Sequence, residues 1–245
     1  MIEFSRRAIL AGSASALGLA LAGCDTVGPT AQAVVQPSVP PEPRAARRVA
    51  AIEPALPPEA RSFKALYGAV PEEPFPIPAL PNNLVAPQWW RQDVSYPTRE
   101  PAGTIIVDPR AHYLYHVKGD GRARRYGVGV GREGFAWSGM AEINSKQEWP
   151  DWYPPKEMIE RQPDLKRSVA KLQSGLGVAG GPRNPLGARA MYLWQNNKDT
   201  LFRIHGTTEP SSIGRSVSSG CIRMVNQDVI DLYANVAVGS KVVVV

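Results

Sequence analysis

The sequence predicts a mainly β domain with a few short helices, and three patterns support that fold class. Residues 104–107 are β-branched and largely apolar, which is typical of a buried strand. Residues 111–118 alternate in polarity and run into the turn Gly119-Asp120-Gly121, which is typical of a β-hairpin. Two more apolar groups, residues 190–194 and 202–204, have the length and composition of strands.

Two further strands complete the predicted β structure. Residues 122–130 return after the turn as the hairpin partner. Residues 241–245 are almost entirely valine and follow Gly239, which ends the preceding element and starts a last strand.

Helices are predicted at three places in the second half of the chain. The run Asn226-Gln227-Asp228 indicates an N-cap and an acidic first turn, which open a helix. Helical spacing puts four apolar residues on one face of it, namely Val229, Ile230, Tyr233 and Val236. Shorter helices are predicted over residues 156–162 and 165–173.

Composition separates the chain into two regions. The 245 residues allow one or two domains, and 43% hydrophobic residues exclude a collagen, a wholly disordered chain and a polytopic membrane protein. Two cysteines cannot build a disulfide framework or a four-cysteine zinc site. Residues 101–245 carry 19 basic and 13 acidic side chains, the whole net charge of +6, whereas 16 of the 24 prolines lie between Pro29 and Pro101.

The N-terminus, residues 1–23, is predicted to be an export signal peptide. Arg6 and Arg7 precede the uncharged stretch 8–23, which ends in small residues. As a helix this stretch would rise about 24 Å, short of the roughly 30 Å hydrocarbon core. A permanent transmembrane helix is therefore the weaker interpretation.

Two motifs in this segment resemble bacterial export signals. Leu21-Ala22-Gly23-Cys24 is similar to a lipobox, which implies that Cys24 is diacylated and becomes the mature N-terminus. Alternatively, Cys24 is only a small residue near a signal-peptidase site. Ser5-Arg6-Arg7-Ala8-Ile9-Leu10 is similar to a twin-arginine signal, with Sec export as the alternative. Either route predicts an envelope protein in the periplasm, held by lipid on the inner or the outer membrane.

The region between the signal and the domain is predicted to have two parts. Residues 24–60 form a Pro-rich tether that favours extended, polyproline-like segments. Residues 61–100 form an extended arm, with one helical turn at Phe63, Leu66 and Tyr67. The pair Trp89-Trp90 carries too much apolar surface to stay in water, which predicts that the arm packs on the domain of residues 101–245.

Nucleophilic chemistry is suggested by His205 and Cys221, sixteen positions apart. An unperturbed thiol, with a pKa of about 8.5, is mostly protonated near neutrality. A neighbouring imidazole can take its proton, so a working site predicts a lowered pKa for Cys221. Gly220 allows a tight turn that points amides at an oxyanion. Arg223 shares a face with Cys221 if the segment is extended, and can bind a carboxylate.

The alternative interpretation is that this cysteine is a small buried residue and this histidine is structural. Spacing alone does not decide between the two interpretations, but the motifs around them do. These occur in order from about residue 103 to residue 245: Gly103-Thr104-Ile105-Ile106-Val107-Asp108, Tyr126-Gly127-Val128-Gly129-Val130-Gly131, Trp152-Tyr153-Pro154-Pro155, Gly181-Pro182-Arg183-Asn184-Pro185-Leu186-Gly187, Ile204-His205-Gly206-Thr207, Ser212-Ile213-Gly214, Ser218-Ser219-Gly220-Cys221-Ile222-Arg223-Met224, then Asn226 and Asp228. Together they resemble the L,D-transpeptidase family, the YkuD-type catalytic domain.

The resemblance implies a β-sandwich-like fold, cysteine acyl transfer and a role for each site residue. Cys221 is the implied nucleophile and His205 the implied general base. Three residues are implied to orient the imidazole or to supply the oxyanion hole: Gly206, Ser219 and Gly220. Arg223 and Ser218 are implied to bind substrate. Many members have His where this chain has Ser219, so a second imidazole near the thiol is missing.

The implied substrate is the tetrapeptide stem of peptidoglycan, from which D-Ala is released. The acyl acceptor is a diamino acid of another stem, giving a 3→3 crosslink, or a lysine of an envelope protein. With water as acceptor, the enzyme would be an L,D-carboxypeptidase. No metal and no organic cofactor is needed for this chemistry.

Two rival classes remain open. A papain-like peptidoglycan endopeptidase usually has its cysteine before its histidine, whereas His205 precedes Cys221 here. A non-catalytic, lipid-anchored wall-binding protein is the second rival, and thiol reactivity separates it from an enzyme.

Other polar residues have simpler interpretations. His112 and His116 are predicted to be surface or half-buried strand residues, because a third metal ligand is not evident nearby. The basic group Arg122, Arg124 and Arg125 is predicted to be only a solvated strand face, and the alternative interpretation is that it is attracted to the anionic envelope. Export makes nucleic acid an implausible partner.

Overall fold

A computed structural model describes residues 62–132, 138–154, 156–161, 163–218 and 220–245. The predicted signal peptide, the tether and Cys24 lie outside these residues, and so does Ser219. A nine-stranded mixed sheet, two small two-stranded sheets and four short helices make up the described part. The expected mainly β fold class is confirmed.

The strands and helices have the following bounds. The strands are β1 Gln92–Ser95, β2 Ile105–Asp108, β3 Tyr113–Gly119, β4 Arg122–Gly127, β5 Val130–Gly131, β6 Gly139–Glu148, β7 Ala170–Leu172, β8 Gly175–Gly177, β9 Arg189–Gln195, β10 Lys198–His205, β11 Ser216–Ser218, β12 Ile222–Arg223 and β13 Lys241–Val244. The helices are α1 Phe63–Tyr67, α2 Lys156–Arg161, α3 Pro163–Ser168 and α4 Asn226–Asn235. Among the described residues, no helix has the length and apolarity to cross a membrane.

The large sheet has the order β1-β4-β3-β2-β13-β6-β9-β10-β12. The pairs β13–β2 and β10–β12 are parallel and the other neighbours are antiparallel. Asp120 and Gly121 have φ of 51° and 68°, the left-handed values that a two-residue turn between twisted strands requires. The strands β5 and β11 pair beside the sheet, close to its β12 edge.

The main core lies between one face of the sheet and helix α4. Its strand residues include Ile105, Val107, Leu114, Tyr126, Ile143, Leu193, Ile204 and Val242. Helix α4 contributes Val229 and Leu232, which lie three residues apart on one face, and Val236 follows directly after the helix. Full burial of such a side chain stabilises the fold by about 1.5–3 kcal/mol. Leu232 takes the central position that was expected for Ile230, which is only half-buried.

Two expectations about local structure are wrong. Asn226 is the first helical residue rather than the cap, which is Val225 and makes no side-chain cap hydrogen bond. The Asn226 Oδ1 instead accepts a hydrogen bond from the Ala188 N–H at 3.0 Å. The helix expected over residues 165–173 ends at Ser168. The following residues form the small hairpin of β7 and β8, so residues 170–172 are a strand and not the end of the expected helix.

Residues 62–100 pack against the domain through an aromatic cluster. Tyr67 is 1% exposed and lies with Ile213 and Val225 of the domain. Trp89 and Trp90 are partly buried in the same cluster. Strand β1 then pairs with β4 and extends the sheet by one strand.

Trp89 is wedged between two glycines of the domain. A Cβ at Gly127 would lie 2.5 Å from the Trp89 carbonyl oxygen, and a Cβ at Gly214 would lie 2.5 Å from the indole ring. Any larger side chain at either position would collide with Trp89. The packing of Trp89 on the domain therefore requires glycine at both positions.

Candidate active site

The parallel pair β10–β12 brings the two predicted catalytic side chains to one face. The pairing is Ile204 with Ile222 and His205 with Arg223. Because side chains alternate along a strand and both isoleucines enter the core, His205 and Arg223 point the opposite way. Cys221, directly before Ile222, points with them. All three line a single cavity of about 900 Å³.

The chain between His205 and Cys221 returns through two close contacts at glycines, one with backbone and one with an aromatic ring. A Cβ at Gly131 of β5 would lie 2.0 Å from the Gly220 nitrogen. Gly220 itself has φ of +122°, and a Cβ there would lie 2.5 Å from the Phe202 ring. Glycine at both positions therefore lets the segment before Cys221 lie against β5 and β10.

His205 is buried, and its ring orientation is fixed by backbone. Its Nδ1 lies 2.5 Å from the Gly206 carbonyl oxygen. A carbonyl only accepts hydrogen bonds, so Nδ1 carries the proton, and in the neutral ring Nε2 carries the lone pair. Burial lowers the pKa of His205 to about 4, although the carbonyls of Gly206 and Leu186 favour its protonated form. The ring is therefore neutral at physiological pH.

Gly206 is itself held from two sides. Its N–H donates to the Arg189 carbonyl at 3.0 Å. The Asn226 side chain lies where a Cβ of Gly206 would be, with Oδ1 at 2.3 Å from that position. Strand β9 and helix α4 thus fix the carbonyl that holds the imidazole.

Cys221 is a half-buried free thiol. Its Sγ donates to the Leu201 carbonyl at 3.9 Å. Burial raises the pKa of the Cys221 thiol, although the Arg203 N–H and the charges of Arg203 and Arg223 act in the opposite direction. The lowered pKa expected from the sequence is wrong for this state of the site. Cys221 and His205 both stay neutral here and do not form an ion pair.

Ser218 and Arg223 are already engaged within the protein. Ser218 is buried, and its Oγ donates to the Cys221 carbonyl at 2.7 Å, which holds the backbone of the nucleophile. Arg223 donates from Nη1 to Glu209 Oε2 at 2.8 Å. The Glu209 side chain is 67% exposed and lines the same cavity.

The far wall of the cavity is the loop of residues 177–186, and a buried amide shapes it. Asn184 is fully buried, and its Nδ2 donates to three backbone carbonyls, those of Pro150, Val178 and Ala179. Its Oδ1 accepts from the Leu186 N–H at 2.9 Å. A side chain whose donors and acceptor are all engaged fixes the loop and is not free to bind substrate.

The described residues that line the cavity give it a positive charge. Its charged members are one glutamate and four arginines, namely Glu209, Arg132, Arg167, Arg183 and Arg223. Such a cavity attracts anionic ligands. Among the residues that the structure describes, no group of three His, Cys, Asp or Glu side chains could hold a metal ion.

Three functional candidates were not predicted from the sequence, namely Asp199, Leu201 and Arg203. Asp199 and Arg203 lie four residues apart in β10 and form an ion pair at 2.7 Å, although the strand predicted from the sequence covered only residues 202–204. That spacing of opposite charges was the available signal. Leu201 carries no sequence signal, because only the folded backbone brings its carbonyl to the thiol.

The other histidines and the basic group differ from expectation. His116 is 4% exposed and buried in β3, whereas a surface or half-buried position was expected. His112 lies in the turn before β3, with Nε2 3.0 Å from Ser216 Oγ. Arg124 does not form a solvated face, because it pairs with Asp93 and Asp231.

Comparison with known proteins identifies the family of the chain. The family model described as the L,D-transpeptidase catalytic domain, YkuD, matches residues 102–244. A probable L,D-transpeptidase ErfK/SrfK of Escherichia coli K12 is 31% identical over 173 residues, which cover 68% of this chain and 48% of that protein. The chain spans about half the length of the first curated relatives that it matches.

Two solved structures are also similar. One is described as a probable carnitine operon oxidoreductase CaiA from Brucella melitensis; it is 50% identical and covers 66% of this chain and 96% of that chain, with a TM-score of 0.44. The other is an L,D-transpeptidase from Mycobacterium smegmatis at 16% identity, 58% coverage of each chain and a TM-score of 0.41. Since the family model matches more than half of the residues, the chain belongs to the L,D-transpeptidase catalytic domain family, YkuD.

Proposed function

We propose that this chain is a peptidoglycan L,D-transpeptidase with Cys221 as nucleophile and His205 as general base. One observation carries the proposal. The Cys221 thiol and a neutral His205, whose Nδ1 is held by the Gly206 carbonyl, line the same basic cavity. A thiol and an oriented base that line one cavity suited to anions are the groups that acyl transfer from an anionic peptide needs.

The first half-reaction releases D-Ala. The Cys221 Sγ attacks the carbonyl carbon of the L,D peptide bond before the terminal D-Ala, and the thiol proton moves to His205 Nε2. The carbon–nitrogen bond then breaks, the proton passes from His205 to the departing amine, and the stem remains as a thioester. With a pKa of about 4, protonated His205 is a strong acid toward that amine.

The second half-reaction resolves the thioester. An acceptor amine attacks the acyl carbon and loses a proton to His205, and that proton returns to the sulfur as the thioester bond breaks. The amine of a stem diamino acid gives a 3→3 crosslink, and a lysine of an envelope protein gives covalent anchoring. Water as acceptor would make the enzyme an L,D-carboxypeptidase.

Backbone and arginine groups supply the remaining roles in this proposal. The amides of Ser219, Gly220 and Cys221 bind the oxyanion of the tetrahedral intermediate. Arg223 binds a carboxylate of the stem, and the exposed Glu209 carboxylate at 2.8 Å marks the position that a substrate carboxylate would take. Ser218 supports the site through the Cys221 carbonyl.

The cellular placement in this proposal rests on the sequence. An exported protein with a lipid on Cys24 and a Pro-rich tether over residues 24–60 would hold the catalytic domain at a membrane of the cell envelope. Membrane fractionation and intact mass of the native chain test this. A Cys24→Ala variant should lose the lipid mass and leave the membrane fraction, whereas Cys221→Ala should keep both.

The enzymatic proposal is tested with purified tetrapeptide-stem muropeptides. The Cys24→Ala chain, produced without export, keeps Cys221 as its one thiol. Loss of D-Ala with a new 3→3 dimer, abolished by Cys221→Ala, supports the transpeptidase. Loss of D-Ala without a dimer indicates water or a protein lysine as acceptor. If no muropeptide changes and Cys221 also fails to react with a carbapenem, the enzyme is excluded and a tethered wall-binding protein is favoured.

A further inference from the structure

We propose that Asp199 is a positioning residue for Cys221, because it clasps a bulge in β10 that presents backbone groups to the thiol. The bulge lies one strand away from the nucleophile. The proposal deepens the function proposed above and rests on it for its catalytic part. Its effect on the thiol itself is independent of the substrate.

The bulge is visible as a register shift between β10 and β9. Asp199 pairs with Trp194 and Arg203 pairs with Tyr192, so four steps on β10 match two steps on β9. Leu201, in the middle, has φ of +61° and is 75% exposed. Left-handed backbone is unfavourable for leucine and persists only where the surroundings hold it.

The Asp199 side chain keeps Leu201 in this conformation through the two contacts described next, which together are called the clasp. Its Oδ1 accepts from the Leu201 N–H at 2.8 Å, and its two oxygens each bind a guanidinium nitrogen of Arg203 at 2.7 Å. Thr200 adds a second clasp, because its Oγ1 donates to the Leu193 carbonyl at 2.6 Å and accepts from the Phe202 N–H at 3.1 Å. Leu201 is thus held by the side chains of Asp199 and Thr200, which bind backbone groups on both sides of it.

Three consecutive residues of the bulge face the nucleophile segment. The Leu201 carbonyl accepts from the Cys221 thiol, and the Arg203 N–H faces the same sulfur. The Phe202 ring lies against the backbone of Gly220. Strand β12 has only two residues, so it offers little support of its own to Cys221. The position of the sulfur therefore depends on the bulge.

Charge and positioning can be separated at Asp199. The Asp199 carboxylate disfavours the thiolate, whereas Arg203 and Arg223 favour it. Asp199→Asn removes the charge but keeps an oxygen that accepts from the Leu201 N–H. Asp199→Ala removes the charge and the clasp together.

A matched control lies at the opposite edge of the same sheet. Asp93 of β1 binds Arg124 through both oxygens, at 2.9 and 3.2 Å, with a similar exposed fraction of 40% against 35% for Asp199. Strand β1 is the first strand of the sheet, whereas β10 is the eighth. Asp93→Asn and Asp93→Ala therefore repeat the same chemistry far from the thiol.

The test uses the whole chain in the Cys24→Ala background. The rate of iodoacetamide alkylation is followed against pH, and kcat and KM are measured for D-Ala release. Both Asp199 variants should lower the pH midpoint of alkylation relative to the Asp93 variants. Asp199→Ala should also reduce kcat by about 10–100-fold with little change in KM, and Asp199→Asn should keep most of kcat.

Three outcomes would overturn the proposal. One is a kcat for Asp199→Ala equal to that of Asp93→Ala. The second is an equal loss in the Ala and Asn variants, which would assign the effect to charge alone. The third is an alkylation rate of Asp199→Ala that equals that of Asp199→Asn at every pH, because these two variants differ only in the clasp. If Asp199→Ala does not fold, a kcat of Asp199→Asn far below that of Asp93→Asn overturns the proposal. If the wild-type chain releases no D-Ala, the proposed function fails while the alkylation result still tests the bulge.

Discussion

Glu73 and Arg189 form a buried bidentate ion pair that joins the arm to the strand beside the active site. Oε1 lies 2.6 Å from Nη2 and Oε2 lies 2.9 Å from Nη1, and the two side chains are only 10% and 8% exposed. The Glu73 carboxylate also accepts from the Trp149 indole at 2.8 Å. Because the Arg189 carbonyl accepts from Gly206, the arm supports the segment that orients His205.

The first prediction concerns this ion pair. Glu73→Gln leaves the buried charge of Arg189 with only the exposed Glu148 carboxylate, 3.8 Å from its Nη2, so the free energy of unfolding should fall by about 3 kcal/mol. Urea unfolding of the Cys24→Ala chain measures it. The control is Asp164→Asn, which breaks the exposed pair of Asp164 with Arg167 and should cost less than about 1 kcal/mol. Equal losses in the two variants would contradict a structural role for Glu73.

The second prediction concerns the pH dependence of catalysis. Burial lowers the pKa of His205 to about 4, so its neutral, proton-accepting form persists down to that pH. Burial raises the pKa of Cys221, so the thiol keeps its proton to a pH above the ordinary pKa of a cysteine. The profile of kcat/KM, which reports the free enzyme, should therefore be flat through neutrality, with its acid limb near pH 4. An acid limb near 6.5 would show an ordinary imidazole and would refute this description of His205.

The third prediction separates steric and conformational demands at Gly220. Alanine there must adopt φ of +122° and would place its Cβ 2.5 Å from the Phe202 ring, so Cys221 should move and D-Ala release should fall by about 100-fold. Gly175 is the matched control, because its φ of +131° is similar and nothing lies within 4 Å of its Cβ position. Gly175→Ala should lose only the backbone contribution, about 1–2 kcal/mol of stability, and keep activity. Similar activities for both variants would contradict the steric argument.

The fourth prediction concerns Asp228, a carboxyl that is 1% exposed in the first turn of α4. Burial raises its pKa to about 7, and Asp231 acts in the same direction. Tyr67 donates to its Oδ2 at 3.3 Å, and Arg91, 3.7 Å from Oδ1, opposes the shift, as does Arg124. The folded state therefore binds more protons here than the unfolded state between about pH 4 and 7.

The sign follows from that difference in bound protons. The stability from protonated Asp228 is full below about pH 4 and is lost as pH rises through 7, a span of roughly 4 kcal/mol. Asp228→Asn should thus gain stability relative to wild type as pH rises from 4 to 8. The difference between the two proteins isolates this group from His205 and His116, whose lowered pKa values act in the opposite direction on acidification. A constant difference across that range would refute the raised pKa.

Strong local patterns carried the prediction of the fold. Residues 104–107 and the hairpin around Asp120 were predicted correctly, because β-branched composition, alternation and turn chemistry all act within a few residues. Strands β1 and β6 were not predicted. β1 has one buried residue and β6 buries mainly Ala141 and Ile143, so pairing with neighbouring strands, rather than their own composition, makes them strands.

The candidate site was predictable only in part. The sequence motifs indicated His205 and Cys221, and the parallel register explains how their side chains come to share a face. The state of the thiol was not predictable, because burial depends on everything packed around it. The bulge at Leu201 was equally hidden, since it arises from the mismatch between two strands and not from any residue type.

The packing of Trp89 between Gly127 and Gly214 has a consequence for protein engineering. The family match begins at residue 102. A chimaera that takes only the residues from 102 onward would therefore lack Trp89 but keep Gly127 and Gly214, the two glycines that its side chain and backbone pack against. Such a chimaera would have an empty groove at the position of Trp89 and a sheet that lacks β1. Chimaeras between relatives should therefore exchange residues 62–245 as one piece. We expect substitutions in the arm and in the domain to occur together in relatives, because a larger residue at either glycine fits only if a smaller residue replaces the tryptophan.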